Sequence, residues 1–140
     1  MAKHAYHEHL KSVPLFTDLT RHELDVVARA ATELDFGAGK VLMTQGALAH
    51  EMFVVLEGTL EVVRDGEPIA EIGPGGIAGE MALLTHAHRH ATVSAKTDIK
   101  VLYIDGRSFQ GVLEEAPVIA VKMLPIVAGR VIEDSDHHSH

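Results

Sequence analysis

Two adjoining stretches hold the side chains best suited to chemistry. Residues 79–84 read GEMALL and residues 85–92 read THAHRHAT. Arg89 offers a planar, permanently charged fork of donors that matches phosphate oxygens. Glu80, when ionised, only accepts hydrogen bonds, so it repels phosphate but suits sugar hydroxyls. Gly79 lets a ligand approach the backbone closely. GEMALL reads as one tight helical turn, whose first N–H groups are free to face an anion. Phosphate donors beside a hydroxyl acceptor suit a sugar phosphate or a nucleotide.

The same stretch carries His86, His88 and His90 at every second position. On a regular strand all three would share one face and could hold zinc or nickel. A cupin-type metalloprotein is the rival this raises. Cupins follow His-x-His with a glutamate, and residues 91–95 are ATVSA, without a carboxylate. No metal is therefore expected. His90, next to Arg89, is the histidine expected to face the ligand. No nucleophile elbow, P-loop or metal–base pair appears, so no catalytic residue is assigned and a non-enzyme is expected.

Elements on both sides must hold these residues in place. Residues 3–12 can form a short helix, and Pro14 makes SVPLF an irregular link. Thr20 and Glu23 form a capping-box pattern, Leu19 and Leu24 a staple, and Leu24, Val27, Ala28 and Ala31 an apolar face, predicting a helix over about 21–32. From Leu34 short β-type runs alternate with glycines. Asp65-Gly66 predicts a hairpin turn between strands Thr59–Arg64 and Glu67–Ile72, and HATVSAK and IKVLYID predict two more strands. Asp105 can cap GRSFQGVLEEA, with Phe109, Val112 and Leu113 on one face. Pro117 starts a last helix through roughly Asp134, and Pro125 is expected to kink it or end it early. Val118, Ile119, Val121, Leu124, Ile126, Val127, Val131 and Ile132 make that helix apolar around most of its circumference. That is more than one contact usually hides, so self-association through it is an expectation.

These residues, in this order, resemble the phosphate-binding cassette of cyclic nucleotide-binding domains, the family of the catabolite activator protein and of the regulatory subunits of cAMP-dependent kinase. The resemblance lies in Gly79-Glu80-Met81-Ala82-Leu83 and Arg89-x-Ala91-Thr92-Val93, and its flanks GKVLMTQG, MFVVLEGTLEVV, VLYIDGRSF and EEAP extend it over nearly the whole chain. It implies a mostly β fold: an eight-stranded antiparallel β-roll (jelly roll) with N-terminal helices and C-terminal lid helices. It implies a ligand site of Gly79, Glu80, Met81, Ala82, Arg89, His90, Ala91 and Thr92. In it Arg89 meets the cyclic phosphate, Glu80 the ribose 2′-hydroxyl, and the N–H groups of Ala82 and His90 complete the phosphate contacts.

The chain departs from the pattern in three places. Ala78 stands where an aromatic residue is frequent. His90 stands where a small or hydroxyl residue is common, and the threonine associated with cGMP preference is absent there. This favours cAMP, with cGMP as the other candidate. Pro125 is unusual in a lid helix.

Composition bounds the remaining classes. The 140 residues carry 12 Lys+Arg against 20 Asp+Glu, a formal net charge of −8, which disfavours direct binding to nucleic acid. No apolar run spans a bilayer, and the polar start MAKHAYHEHL lacks a secretory core. A cytoplasmic protein without membrane partners is expected. There are no cysteines, which excludes disulfides and thiolate chemistry. The expected layout is one cyclic nucleotide-binding domain over residues 10–134. It comprises an N-terminal helical segment (1–33), the β-roll (34–104) with the cassette (73–95), C-terminal helices (105–134) and a tail (135–140). The helix-turn-helix that transcription factors of this family carry is not expected in these residues. The expected role is a stand-alone cyclic nucleotide sensor that signals to an effector protein. A ligand-free interaction scaffold of the same fold is the alternative.

Overall fold

Caps and turns set where the first elements begin. The computed structural model describes residues 6–48, 50–79, 88–126 and 128. Helix α1 spans His7–Lys11, followed by a 3-10 turn at Pro14–Phe16, with Val13 held extended as a residue before proline must be. Helix α2 spans Arg21–Arg29. The Thr20 hydroxyl accepts from the Glu23 N–H at 3.2 Å, and the Glu23 carboxylate accepts from the Thr20 N–H at 2.9 Å, so the capping box closes from both sides. The helix stops at Arg29, a few residues before the predicted end, because the chain turns directly into a strand at Thr32.

Eight strands follow among the described residues: β1 (Thr32–Phe36), β2 (Val41–Met43), β3 (Glu51–Glu57), β4 (Leu60–Arg64), β5 (Glu67–Ile72), β6 (Ile77–Ala78), β7 (Thr92–Ala95) and β8 (Ile99–Asp105). They form two four-stranded antiparallel sheets, ordered β1-β8-β3-β6 and β2-β7-β4-β5. This is the eight-stranded β-roll that the family resemblance implies. The β4–β5 hairpin turns at Asp65 (φ 53°) and Gly66 (φ 81°), the two left-handed residues of a tight hairpin.

The central strands β3 and β8 explain why MFVV and VLYI read as continuous apolar runs. Both their faces are buried. Met52, Val54, Leu102 and Ile104 face the helices, in one cluster with Leu10, Phe16 and Val27. Phe53, Val55, Ile99 and Val101 face the interior of the roll, with Leu60, Val93 and Ala95. Alternation of side chains across a strand makes one run serve two cores.

Helix α3 spans Gly106–Glu115, and the Asp105 carboxylate accepts from the Ser108 N–H at 2.6 Å, capping it as predicted. Phe109 and Val112 are buried, and Phe109 packs against Phe16 with ring centroids 6.0 Å apart. A last helix, α4, runs over 118–126, and residue 128 is helical as well. Pro125 lies within its last described turn, and the end of the helix, which Pro125 is expected to bring early, falls outside the described residues. Proline removes one backbone bond of an exposed turn, while Ile119 and Met123 remain fully buried one turn earlier and keep the helix seated. Val121 and Leu124, each 63% exposed, lie on its outer side with Val118. Lys122 of α4 donates to the Glu23 carboxylate of α2 at 2.7 Å, and Arg29 of α2 donates to Glu115 of α3 at 2.6 Å. These contacts tie α2 to the C-terminal helices. The expected extension of the last helix to Asp134, with Val127, Val131 and Ile132, lies outside the described residues, as do residues 1–5 and the tail.

Candidate functional site

Arg89 stands just ahead of β7, and its backbone is fixed by the loop between β2 and β3. The Arg89 N–H donates to the Ala47 carbonyl at 2.8 Å, and the Arg89 carbonyl accepts from the Gly46 N–H at 2.9 Å. An isolated antiparallel bridge between Leu48 and His88 continues the pairing. With its backbone held on both sides, the side chain turns inward and is only 7% exposed. Its Nη2 donates to the Glu51 backbone carbonyl at 2.7 Å and lies 3.5 Å from the Glu51 carboxylate.

Gly79, ten residues earlier in the chain, lies directly against this guanidinium. β6 pairs with β3 through Phe53 and Ala78, and this brings the residue after Ala78 to the start of β3. Gly79 has φ +83°, and a Cβ there would fall 2.4 Å from Arg89 Nη1 and 2.9 Å from both the Glu51 carbonyl oxygen and Met43 Cε. Only glycine supplies both the left-handed backbone and the space. The fold thus assembles a buried cation against bare backbone.

Burial is the main influence on Arg89 and lowers its pKa, while the Glu51 carboxylate opposes the shift. A guanidinium stays charged through such a shift. Taking it out of water costs several kcal/mol unless anions and acceptors surround it. A carboxylate at 3.5 Å is a partial partner, beyond the ~2.7–2.9 Å of a strong charge-assisted bond. The arrangement is suited to an anion that brings further oxygens to the fork.

The remaining predicted positions follow along the chain. His90 is exposed, and its carbonyl accepts from Arg64 Nε at 3.1 Å. Ala91 is half-buried. The Thr92 hydroxyl accepts from the Gln45 N–H at 3.0 Å, fastening the β2–β3 loop to β7. Glu80, Met81, Ala82, the predicted tight turn at GEMALL and His86 lie outside the described residues. His88 and His90 are both exposed, and among the described residues no three His, Asp or Glu side chains are grouped as metal ligands. No described helix is long and apolar enough to cross a membrane.

Glu51 is absent from the residues that the sequence assigns to the site. It heads an apolar strand, and nothing in EMFVVLEG signals that its carbonyl and carboxylate would meet an arginine 38 residues later. Gln45 and Arg64 likewise read as ordinary surface residues.

Comparison with known proteins identifies the family. The cyclic nucleotide-binding domain model matches residues 33–116, more than half of the chain. A cyclic nucleotide-gated potassium channel of Rhizobium etli is 36% identical over 109 residues, covering 78% of this chain and 30% of the channel. A cAMP-dependent protein kinase regulatory subunit of Schizosaccharomyces pombe is 30% identical over 112 residues, covering 79% of this chain and 27% of that subunit. The chain thus spans less than a third of the length of these curated relatives. Among solved structures, the N-terminal domain of a transcriptional regulator from Streptomyces coelicolor superposes with a TM-score of 0.81 at 26% identity, covering 93% of this chain and 94% of that one. A cyclic nucleotide-binding-like protein from Brucella abortus gives 0.71 at 31% identity, covering 76% of this chain and 96% of that one. With its β-roll and buried arginine, the chain belongs to the cyclic nucleotide-binding domain family.

Proposed function

We propose that this domain is a cAMP sensor that passes a conformational change to an effector protein. The observation that carries the reading is the buried Arg89 guanidinium lying against Gly79 with only a partial carboxylate partner. A cyclic phosphate has the charge and the oxygens to complete that environment. Arg89 holds the phosphate, assisted by the N–H groups of Ala82 and His90, and Glu80 takes the ribose 2′-hydroxyl. Gly79, Met81, Ala91 and Thr92 shape the cassette around them. His90 in place of threonine supports cAMP over cGMP, as does the kinship with a cAMP-dependent kinase regulatory subunit.

The output runs through α4. Its inner side is seated by Ile119 and Met123, its Lys122 grips α2, and Val118, Val121 and Leu124 remain on the outside for an effector or a second copy. A ligand shifts such an element only by its difference in affinity for the two positions. The role is regulatory rather than catalytic, in the cytoplasm, with no metal and no direct contact to nucleic acid.

Thermal unfolding with cAMP, cGMP and the ring-opened 5′-AMP tests the reading. Ligand at a hundredfold over its Kd should stabilise the protein by about 2.7 kcal/mol. The expected order is cAMP above cGMP, with 5′-AMP inactive. No shift with either cyclic nucleotide refutes the proposal.

A further inference from the structure

The loop that fixes the Arg89 backbone follows a short strand and meets β7 through the Thr92 hydroxyl, which accepts from the Gln45 N–H. β2 has only three residues, and its register with β7 shifts between Val41 and Met43. Beyond it, Thr44–Ala47 form a turn closed by the Ala47 N–H on the Thr44 carbonyl at 3.1 Å. Gly46 and Ala47 of this turn make both backbone bonds to Arg89.

A third element holds the turn. Gln45 Nε2 donates to the Asp65 carboxylate at 2.8 Å, and Gln45 Oε1 accepts from the Asp65 N–H at 2.9 Å. Asp65 is the left-handed residue at the tip of the β4–β5 hairpin. Its neighbour Arg64 donates from Nε to the carbonyl of His90, immediately after Arg89. The hairpin tip therefore grips both sides of Arg89: the turn on one side through Gln45, and the chain following it through Arg64. All three side chains are exposed, where single polar contacts add little to global stability. A two-point bond between fixed backbones still sets position, because it restricts rotation as well as distance.

We propose that Gln45 and Asp65 are positioning residues for the ligand: the hairpin tip braces the turn that aims the Arg89 guanidinium at the phosphate. This rests on Arg89 being the phosphate partner.

The test is a charge swap with rescue, read by calorimetric titration with cAMP and by amide hydrogen exchange. Gln45→Glu removes the donor and sets a second carboxylate against Asp65. It should weaken cAMP binding about tenfold, the equivalent of ~1.4 kcal/mol. It should also speed exchange of the Gly46 and Arg89 amides. The thermal midpoint should move by no more than about 2 °C, as befits exposed contacts. Adding Asp65→Asn restores a donor opposite the carboxylate introduced at position 45, and asparagine tolerates the left-handed backbone. The double variant should return to within about twofold of the unaltered affinity, by the same conversion. Gln45→Glu binding as tightly as the unaltered protein overturns the inference. So does a loss that the second substitution fails to restore. If the unaltered protein binds neither cAMP nor cGMP, the reading of the site fails first, and the inference falls with it.

Discussion

Gly79→Ala probes the contact on which the site depends. The substitution places a Cβ in a backbone at φ +83°, 2.4 Å from Arg89 Nη1 and 2.9 Å from the Glu51 carbonyl oxygen. The left-handed backbone alone costs about 1–2 kcal/mol for a residue with a Cβ. The carbonyl belongs to the start of β3 and cannot retreat without breaking the sheet, so overpacking adds about 1–3 kcal/mol. A total destabilisation of about 3 kcal/mol is expected in urea denaturation. The guanidinium is the softer neighbour and swings away, toward ordinary contact near ~3.5–4 Å. Losing one hydrogen bond to a charged group is worth about 1.5–3 kcal/mol, so cAMP affinity should fall roughly ten- to hundredfold.

Gly39→Ala separates strain from crowding. Gly39 has φ +94°, but nothing lies within 4 Å of its added Cβ. It should lose about 1–2 kcal/mol of stability and keep full affinity. If Gly79→Ala behaves like Gly39→Ala, losing that stability and binding cAMP at full strength, the guanidinium does not lie over the Gly79 backbone in the bound state.

The helix contacts give two further predictions. The Glu23 carboxyl is held below its usual range, first by the hydrogen bond from Lys122 and next by the Thr20 N–H. A lowered carboxyl pKa adds stability above its unfolded value and loses it as pH falls through the folded one. Lys122→Met should therefore be less stable than the unaltered protein by a constant amount above about pH 5, and the gap should close toward pH 3, as measured by denaturant unfolding at each pH. An equal gap at pH 7 and pH 3 would show that Lys122 acts by packing alone. Thr20→Ala removes the other half of the capping box and should cost about 1 kcal/mol in the same assay. A loss within a few tenths would mean that the Glu23 bond suffices.

What is legible in the sequence, and what is not, divides by range. The Thr20–Glu23 box, the Asp105 cap and the Asp65-Gly66 turn depend on residues within three positions of each other, and each appears as predicted. Strand β8 is legible as a strand at IKVLYID, whereas the burial of β3 and β8 on both faces follows from their central places in a sheet between two cores. The chemistry of Gly79 and Arg89 suggests a shared site, but their direct contact comes from the pairing of β6 with β3, which no local rule connects to a residue ten positions on. Glu51 and the Gln45–Asp65 brace are not legible. Their chemistry arises from register: β3 pairing with β6 and β8, and a hairpin tip folding onto a distant loop. Ile119 and Met123, legible only as part of an apolar run, bury in the helical layer and seat α4.

The central claim is that Arg89 carries the phosphate contact, and Arg89→Leu tests it most directly. Leucine fills part of the same buried space without a charge, and unfolding in denaturant checks that the fold persists. Truncating one member of a buried charged pair costs about 2–5 kcal/mol, so calorimetric titration should show cAMP affinity reduced by well over tenfold. A folded Arg89→Leu protein that binds cAMP as tightly as the unaltered one would contradict the account.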